Sequence, residues 1–257
     1  MTPGKLGAAL VAAIVIGCLF LENAFPLRSW HRPRSARARR NGVFSFLYAA
    51  ESLAVGVISL DLSARVRARG YGLFALLKCG AAVRILLTVL AMDLSTYLGH
   101  RANHSIPALW RMHRLHHLDN DMDVSTAYRL HPFETPLYMG GHLLLIVALG
   151  AAPLEFLIFA VVNTAAQITA HANFRYPARV ERLARLFVAT PTFHQTHHSR
   201  VPEQTNSNYG VVFSFWDRLI GTHTDMPESL SVNIGLDEYP DPNALSVAKM
   251  LALPFNP

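Results

Sequence analysis

Long apolar runs divided by short basic breaks organise this chain. Residues 6–25, LGAALVAAIVIGCLFLENAF, carry one charged side chain, Glu22. Twenty helical residues rise about 30 Å, the thickness of a bilayer's hydrocarbon core, so the run predicts a first membrane span. Residues 43–62 predict a second. Glu51 lies in its middle, is costly in lipid and is expected to face protein. Residues 72–97 predict a third, its start weakened by Lys78 and Arg84. Both can reach an interface along their apolar stems. Residues 135–150 and 153–170 predict two shorter helices with Ala151, Ala152 and Pro153 at the turn, since proline suits a first helical turn. This pair is expected to form a hairpin that dips partly through the bilayer. Beyond residue 171 the pattern turns mixed, and VERLARLFVA, 180–189, predicts an amphipathic interfacial segment. The expected fold is all-α and polytopic, with about four to five membrane helices and a histidine-rich helical cap.

Composition agrees. Of 257 residues, 51% are hydrophobic and 16% charged, against roughly 25% charged in an ordinary soluble domain. Mean hydropathy is +0.24. The net charge of +6 matters less than its placement, because six arginines fall in RSWHRPRSARARR, 28–40. Such a run is a solvated loop and, between apolar spans, a cytoplasmic marker. It follows the first apolar run, whereas a signal peptide's basic region comes before it, so an uncleaved anchor is expected. One basic run without a reading module makes no nucleic-acid interface. With that loop in the cytoplasm, both histidine clusters fall on the cytoplasmic side, in a bacterial inner membrane or endoplasmic reticulum. The three arginines of SARVRARG, 63–70, pull the other way. Cys18 and Cys79 sit far apart in apolar stretches and make neither a disulfide framework nor a CxxC pair.

Histidine changes the picture. Five of the thirteen lie within HRANHSIPALWRMHRLHH, 100–117, and HQTHH follows at 194–198. His100 and His104, four apart, share a helix face. His113, His116 and His117 show an i, i+3, i+4 spacing, and His194, His197 and His198 repeat it. A tetrahedral zinc ion takes about four ligands, so these eight imidazoles suit two ions. Imidazole alone does not choose among zinc, copper, iron and nickel. HExxH and GxSxG are both absent, which removes the signatures of a zincin protease and a serine hydrolase.

At these residues the chain resembles the fatty acid hydroxylase/sterol desaturase superfamily. The likeness runs through DLSTYLGHRANH (93–104), WRMHRLHHLDNDMDVSTAYRLHPFE (110–134), ITAHANF (168–174), TPTFHQTHHS (190–199) and NYGVVFSFWDRLIGTHTD (208–225), in the family's order. It covers about half the chain. The resemblance implies a membrane oxidoreductase with two Fe ions, which uses O2 to hydroxylate or desaturate a lipid C–H bond. Its metal ligands fall on His100, His104, His113, His116, His117, His194, His197 and His198, with His171 as a further position. His131 matches a subgroup pattern, as a neighbour of the ligands or a further ligand. Asp93, Asp119, Asp121, Asp123 and Glu134 are candidates to orient imidazoles. Asn208 and Tyr209 are expected near the last cluster, and Asp217 and Arg218 as a structural pair. His31, His142 and His223 are read as packing or local structure. Without an HPGG haem stretch or GxGxxG, electrons are expected from an external donor. Three regions follow: an anchor with the basic loop (1–89), the catalytic region (90–225) and a tail (226–257). Two other classes stay open, a membrane metal carrier or sensor and a zinc-dependent hydrolase. Both would use the same histidines.

Overall fold

A computed structural model describes residues 2–30, 34–225 and 232–255. His31 therefore lies outside the described residues, as does part of the expected tail. Among the described residues the chain is helical, and its β pairing is limited to the bridges Pro26–Phe174 and Ser199–Ile234. Helix α1 spans Pro3–Ala24, α2 Arg34–Ala68, α3 Leu73–Leu77, α4 Ala81–Ser105 and α5 Pro107–His113. Helix α6 spans Thr135–Leu149, α7 Pro153–His171, α8 Ala178–Ala184, α9 Pro191–His197, α10 Pro202–Thr205, α11 Phe215–Ile220 and α12 Val247–Leu251. Four segments are long and apolar enough to cross a membrane: α1, the stretch Arg37–Leu77, α4 and α7. At 15 residues α6 is shorter. The expected hairpin thus has one arm of spanning length.

Local chemistry sets the helix ends. Thr2 caps α1 by accepting from Lys5 N, with Pro3 at the first position. Proline also opens α5, α7, α9 and α10, where its missing N–H costs nothing. The expected third span is broken. Lys78 turns left-handed (φ 47°), Gly80 is extended, and α4 then continues to Ser105. Arg84, expected to snorkel, bonds Glu155 of α7 at 2.7 Å and Cys79 O at 2.9 Å. At this same end the α2–α3 link lies on the α6–α7 turn. Gly72 (φ 89°) and Gly150 (φ 75°) meet there so closely that a Cβ on Gly72 would stand 2.2 Å from Gly150 N. Both need left-handed freedom and no side chain.

The long helices alternate in direction. The C-terminal ends of α1, α4 and α7 and the N-terminal ends of α2 and α6 gather at one end of the bundle, where the histidines lie. Val89, Met92, Ile146, Phe156 and Phe159 form a core between α4, α6 and α7. Cys18 packs with Ile168 and Phe174 where α1 meets α7. Outward-facing apolar residues such as Ile16 (68% exposed), Phe46 (72%) and Leu144 (74%) suit a lipid surround. Glu51 is half-buried. Val180, Leu183 and Phe187 are exposed along and after α8, as an interfacial segment requires. In the tail, Met250 and Leu253 pack on Leu115 and Leu118 and cover the histidine turn.

The arginine run is only partly a loop. From Arg34 onward it is the first two turns of α2. Arg37 is buried, 3.1 Å from Asp121 and in a close ion pair with Asp123. Arg34 pairs with Glu22, whose Oε1 accepts from Val124 N and Asn173 N at 2.9 Å each. Charges placed between apolar runs thus find buried partners in the DNDMD segment.

Candidate metal centre

The last turns of α4 carry His100 and His104. The end of α5 carries His113, and the 3-10 turn His116–Leu118 follows with His116 and His117. His171 ends α7, and α9 brings His194 and His197, with His198 as its C-cap residue. Thr190 caps α9 by accepting from Phe193 N. The nine imidazoles form two groups. One is His100, His104, His113, His117 and His197, the other His116, His171, His194 and His198; within each, one nitrogen per ring lies within 4.8 Å of the rest.

The sequence spacing puts each HxxHH triplet on one face, yet the structure divides it. The i, i+4 pairs stay together: His100 with His104, His113 with His117, His194 with His198. The i+3 members, His116 and His197, go to the opposite group. Successive helical residues are about 100° apart, so i+3 and i+4 flank residue i on opposite sides.

Four rings are held by bonds on Nδ1. His100 Nδ1 donates to Tyr209 O (2.8 Å), His197 Nδ1 to Ser207 O (2.7 Å), His171 Nδ1 to Gln167 O (2.7 Å) and His113 Nδ1 to Glu134 Oε1 (2.7 Å). A proton on Nδ1 leaves Nε2 of the neutral ring as a bare lone pair. His171 Nε2 faces His116 Nε2 at 2.9 Å and His194 Nε2 at 3.0 Å. Only one of these can donate to that lone pair. His194 Nε2 also faces His198 Nε2 at 3.2 Å, and His113 Nε2 faces His117 Nε2 at 3.3 Å. His197 Nε2 is buried without a hydrogen-bond partner. Converging lone pairs need positive charge between them. Protons are a poor source here: burial, then the neighbouring imidazoles, holds His116, His117, His194, His197 and His198 well below the usual histidine range. A donor set of neutral, buried, converging imidazoles fits metal ions.

The other expected residues act at one remove. Glu134 is the carboxylate that holds an imidazole, and it also accepts from Asn103 Nδ2 at 3.0 Å. Asp119 pairs with Arg129 (2.5 Å), and Asp121 and Asp123 pair with Arg37. Asp93 accepts from Val212 N, Phe213 N and Trp216 Nε1 at 2.9–3.1 Å. Asp217 accepts from Tyr209 N and Gly210 N at 2.8 Å each, so it shapes this loop instead of pairing with Arg218, which bonds Arg185 O. Asn208, left-handed at φ 54°, bonds Thr224 N and O. Asp93, Asp217 and Asn208 therefore fix the segment whose carbonyls at 207 and 209 orient His197 and His100. His131 joins neither group. Its Nε2 bonds Leu251 O at 3.1 Å, and its Nδ1 accepts from Phe133 N. His142 is buried on Thr96 Oγ1 at 3.0 Å, and His223 bonds Asp225 and Asn208.

Sequence reasoning missed Asn103 and the three orienting carbonyls. Gln167 O was within reach of a helical argument, since His171 lies four residues on. Ser207 O and Tyr209 O left no side-chain signal. It also missed a cavity of about 410 Å³ that runs from His100, His113, His116 and His194 into the space between α2, α4, α6 and α7.

The fatty acid hydroxylase family model matches residues 85–222. Among curated proteins, an ornithine lipid hydroxylase of Rhizobium tropici is 31% identical over 155 residues, 60% of this chain and 46% of that protein. An alkylglycerol monooxygenase of Xenopus tropicalis is 30% identical over 152 residues, 58% of this chain and 32% of its own. A cholesterol 25-hydroxylase of Rattus norvegicus is 26% identical over 159 residues, 61% and 52% respectively. The match thus spans between a third and about half of these relatives' lengths. No solved structure matches.

Proposed function

The chain belongs to the fatty acid hydroxylase family, and from that premise we propose that it is a membrane oxidoreductase that uses O2 and two iron ions to hydroxylate a lipid C–H bond. The observation that carries this reading is the pair of buried imidazole groups opening on a cavity between apolar helices. The relatives are named for oxidising an ornithine lipid, an alkylglycerol and cholesterol. What we take from them is the class, a lipid, and hydroxylation over desaturation.

Bound iron supplies the one-electron and dioxygen chemistry that side chains lack. The chain's own part is positioning. In this reading His100, His104, His113, His117 and His197 hold one ion, and His116, His171, His194 and His198 the other. The Nδ1 bonds fix the tautomer and orientation of His100, His113, His171 and His197, with Nε2 turned inward. Burial of all nine rings, with His104 half-buried and the rest fully so, keeps bulk water from the reacting atoms. The cavity brings a lipid carbon against His100, His113, His116 and His194. The catalytic region is residues 90–225, and electrons come from a separate donor.

A metal carrier would place its ligands near mid-membrane. Here they lie at one end of the bundle, on the same side as the arginine-rich segment, which favours the enzyme and, by the positive-inside rule, a cytoplasmic site. The test is metal analysis and oxygen uptake of detergent-purified protein beside a His197→Ala, His198→Ala variant. About two irons per chain and reductant-dependent uptake, both lost in the variant, are expected. Tight zinc with no oxygen uptake after iron loading would overturn the reading. Labelling of single cysteines placed at positions 38 and 67 in sealed vesicles reports sidedness.

A further inference from the structure

The cavity changes character along its length, and two helices show the same order. On α7, starting from the histidine end, its walls are Gln167, Thr164 and Asn163, then Phe159, Leu157 and Phe156. On α2 they are Ser45, Tyr48 and Ser52, then Gly56 and Leu60. The bond between Asn41 and Asp119 ties the start of α2 to the histidine turn, so Ser45 is at the metal side. On these two helices hydrogen-bonding groups therefore gather nearer the imidazoles, beside the apolar Ala49, Leu130 and Val211, and apolar groups line the far half. His142, polar and deep, already has Thr96 as its partner. Asn163 is different: its Oδ1 is buried and has no hydrogen-bond partner. It stands on the face of α7 that carries Gln167 and His171, eight residues or about 12 Å from the latter. A buried amide oxygen left unmade costs free energy, and a ligand donor would recover it.

Charge narrows the class. No Lys or Arg lines the cavity among the described residues, and Glu134 stands at its metal side. Positive charge would come only from ions held by the imidazoles, so at Asn163, about 12 Å along α7 from His171, an anionic group would lose its hydration with no cation beside it.

Resting on the lipid-oxidising reading above, we propose that the cavity takes an amphiphile polar end first. Its neutral hydrogen-bonding portion lies in the half between Asn163 and the histidines, and its hydrocarbon tail runs away from them toward Phe156 and Leu157. Asn163 is then a specificity-determining residue. Oxygen is inserted into the polar portion or the carbons beside it, not at the tail's end.

The test is photolabelling of the metal-loaded chain in detergent without reductant, so that position is read and not turnover. The probe is a long-chain primary amide with a diazirine at its terminal carbon. We expect cross-links in residues 156–160 or 56–60, displaced by the unlabelled amide and at least fivefold less well by the fatty acid of equal length. For Asn163→Leu we expect the amide to displace the probe about five- to tenfold less well, the loss of one buried hydrogen bond, with displacement by the matching alkane unchanged. Cross-links at 100–117 or 190–198, labelling that the amide does not displace, a fatty acid as effective as the amide, or an unaltered Asn163→Leu variant would each overturn the proposal. The wild-type map stands even where the variant folds poorly. Failure of the oxygen-uptake test with the labelling map intact would remove the chemistry and leave the binding mode.

Discussion

Glu134 offers a direct test of how the clustered imidazoles are held. Its carboxylate is fully buried and accepts from His113 Nδ1 at 2.7 Å and Asn103 Nδ2 at 3.0 Å. In Glu134→Ala, Asn103 Nδ2 keeps Tyr138 Oη at 2.9 Å, so it is not stranded. His113 Nδ1 loses its acceptor, and the cost falls on that ring. An orphaned buried donor costs about 1–3 kcal/mol, and loss of such a partner typically weakens metal binding about 10–100-fold. Glu134→Gln retains an acceptor oxygen but not its charge. Charged hydrogen bonds are roughly twice as strong as neutral ones, so its loss should be about half as large in free energy. The assay is competition for Fe(II) or Zn(II) against a chelator of known affinity, with melting temperature recorded in parallel. The expected order is wild type, Gln, then Ala. Equal metal affinity in all three would refute the claim that this carboxylate orients a ligand.

Further outcomes follow from the same contacts. Arg37→Ala removes the guanidinium that Asp121 and Asp123 share while Arg34 stays 3.6 Å from Asp123, and should cost up to about 3 kcal/mol, read as a lower midpoint in detergent denaturation. Burial alone would raise the Asp123 carboxyl, but Arg37 and the Ser125 bonds bring it below the ordinary range. That contribution is present above the unfolded value of about 3.9 and is lost as pH falls through the lower folded value. Wild-type melting temperature should therefore drop below about pH 4, and more gently in Arg37→Gln. Asp93→Ala frees Val212 N, Phe213 N and Trp216 Nε1, and should reduce metal content through the 207–214 segment while Asp61→Ala, in an exposed pair with Arg65, leaves it unchanged. Chelation of the loaded protein should lower its melting temperature, because a ligand that binds only the folded state stabilises it by mass action.

Much of the architecture was legible because its signals are local. An apolar run of about twenty residues announces a span whatever surrounds it, and the three stretches read this way overlap helices of spanning length, while 153–170, read as a shorter arm, also proves long enough. Eight of the nine clustered histidines were legible for the same reason, since i, i+3 and i, i+4 spacing is a property of one helix turn, whereas His171, alone on its helix, was legible only through the family resemblance. The break at Lys78–Gly80 was not. It depends on Arg84 meeting Glu155 and on Gly72 lying against Gly150, contacts between segments about seventy or more residues apart. The arginine run read as a solvated loop for the same reason, because the acidic partners that bury Arg37 lie more than eighty residues away.

Residue order alone therefore settles the class of this protein: helices that suit a bilayer and an imidazole-rich cap able to bind more than one metal ion. Tertiary packing decides how those imidazoles divide. His116 and His117 are neighbours in the chain but belong to different groups, as do His197 and His198. The carbonyls that aim His100 and His197 come from a loop held by Asp93 and Asp217. The cavity, too, exists only where α2 and α7 lie side by side. Spacing along a helix fixes the directions in which side chains leave it, but only packing decides what each one meets.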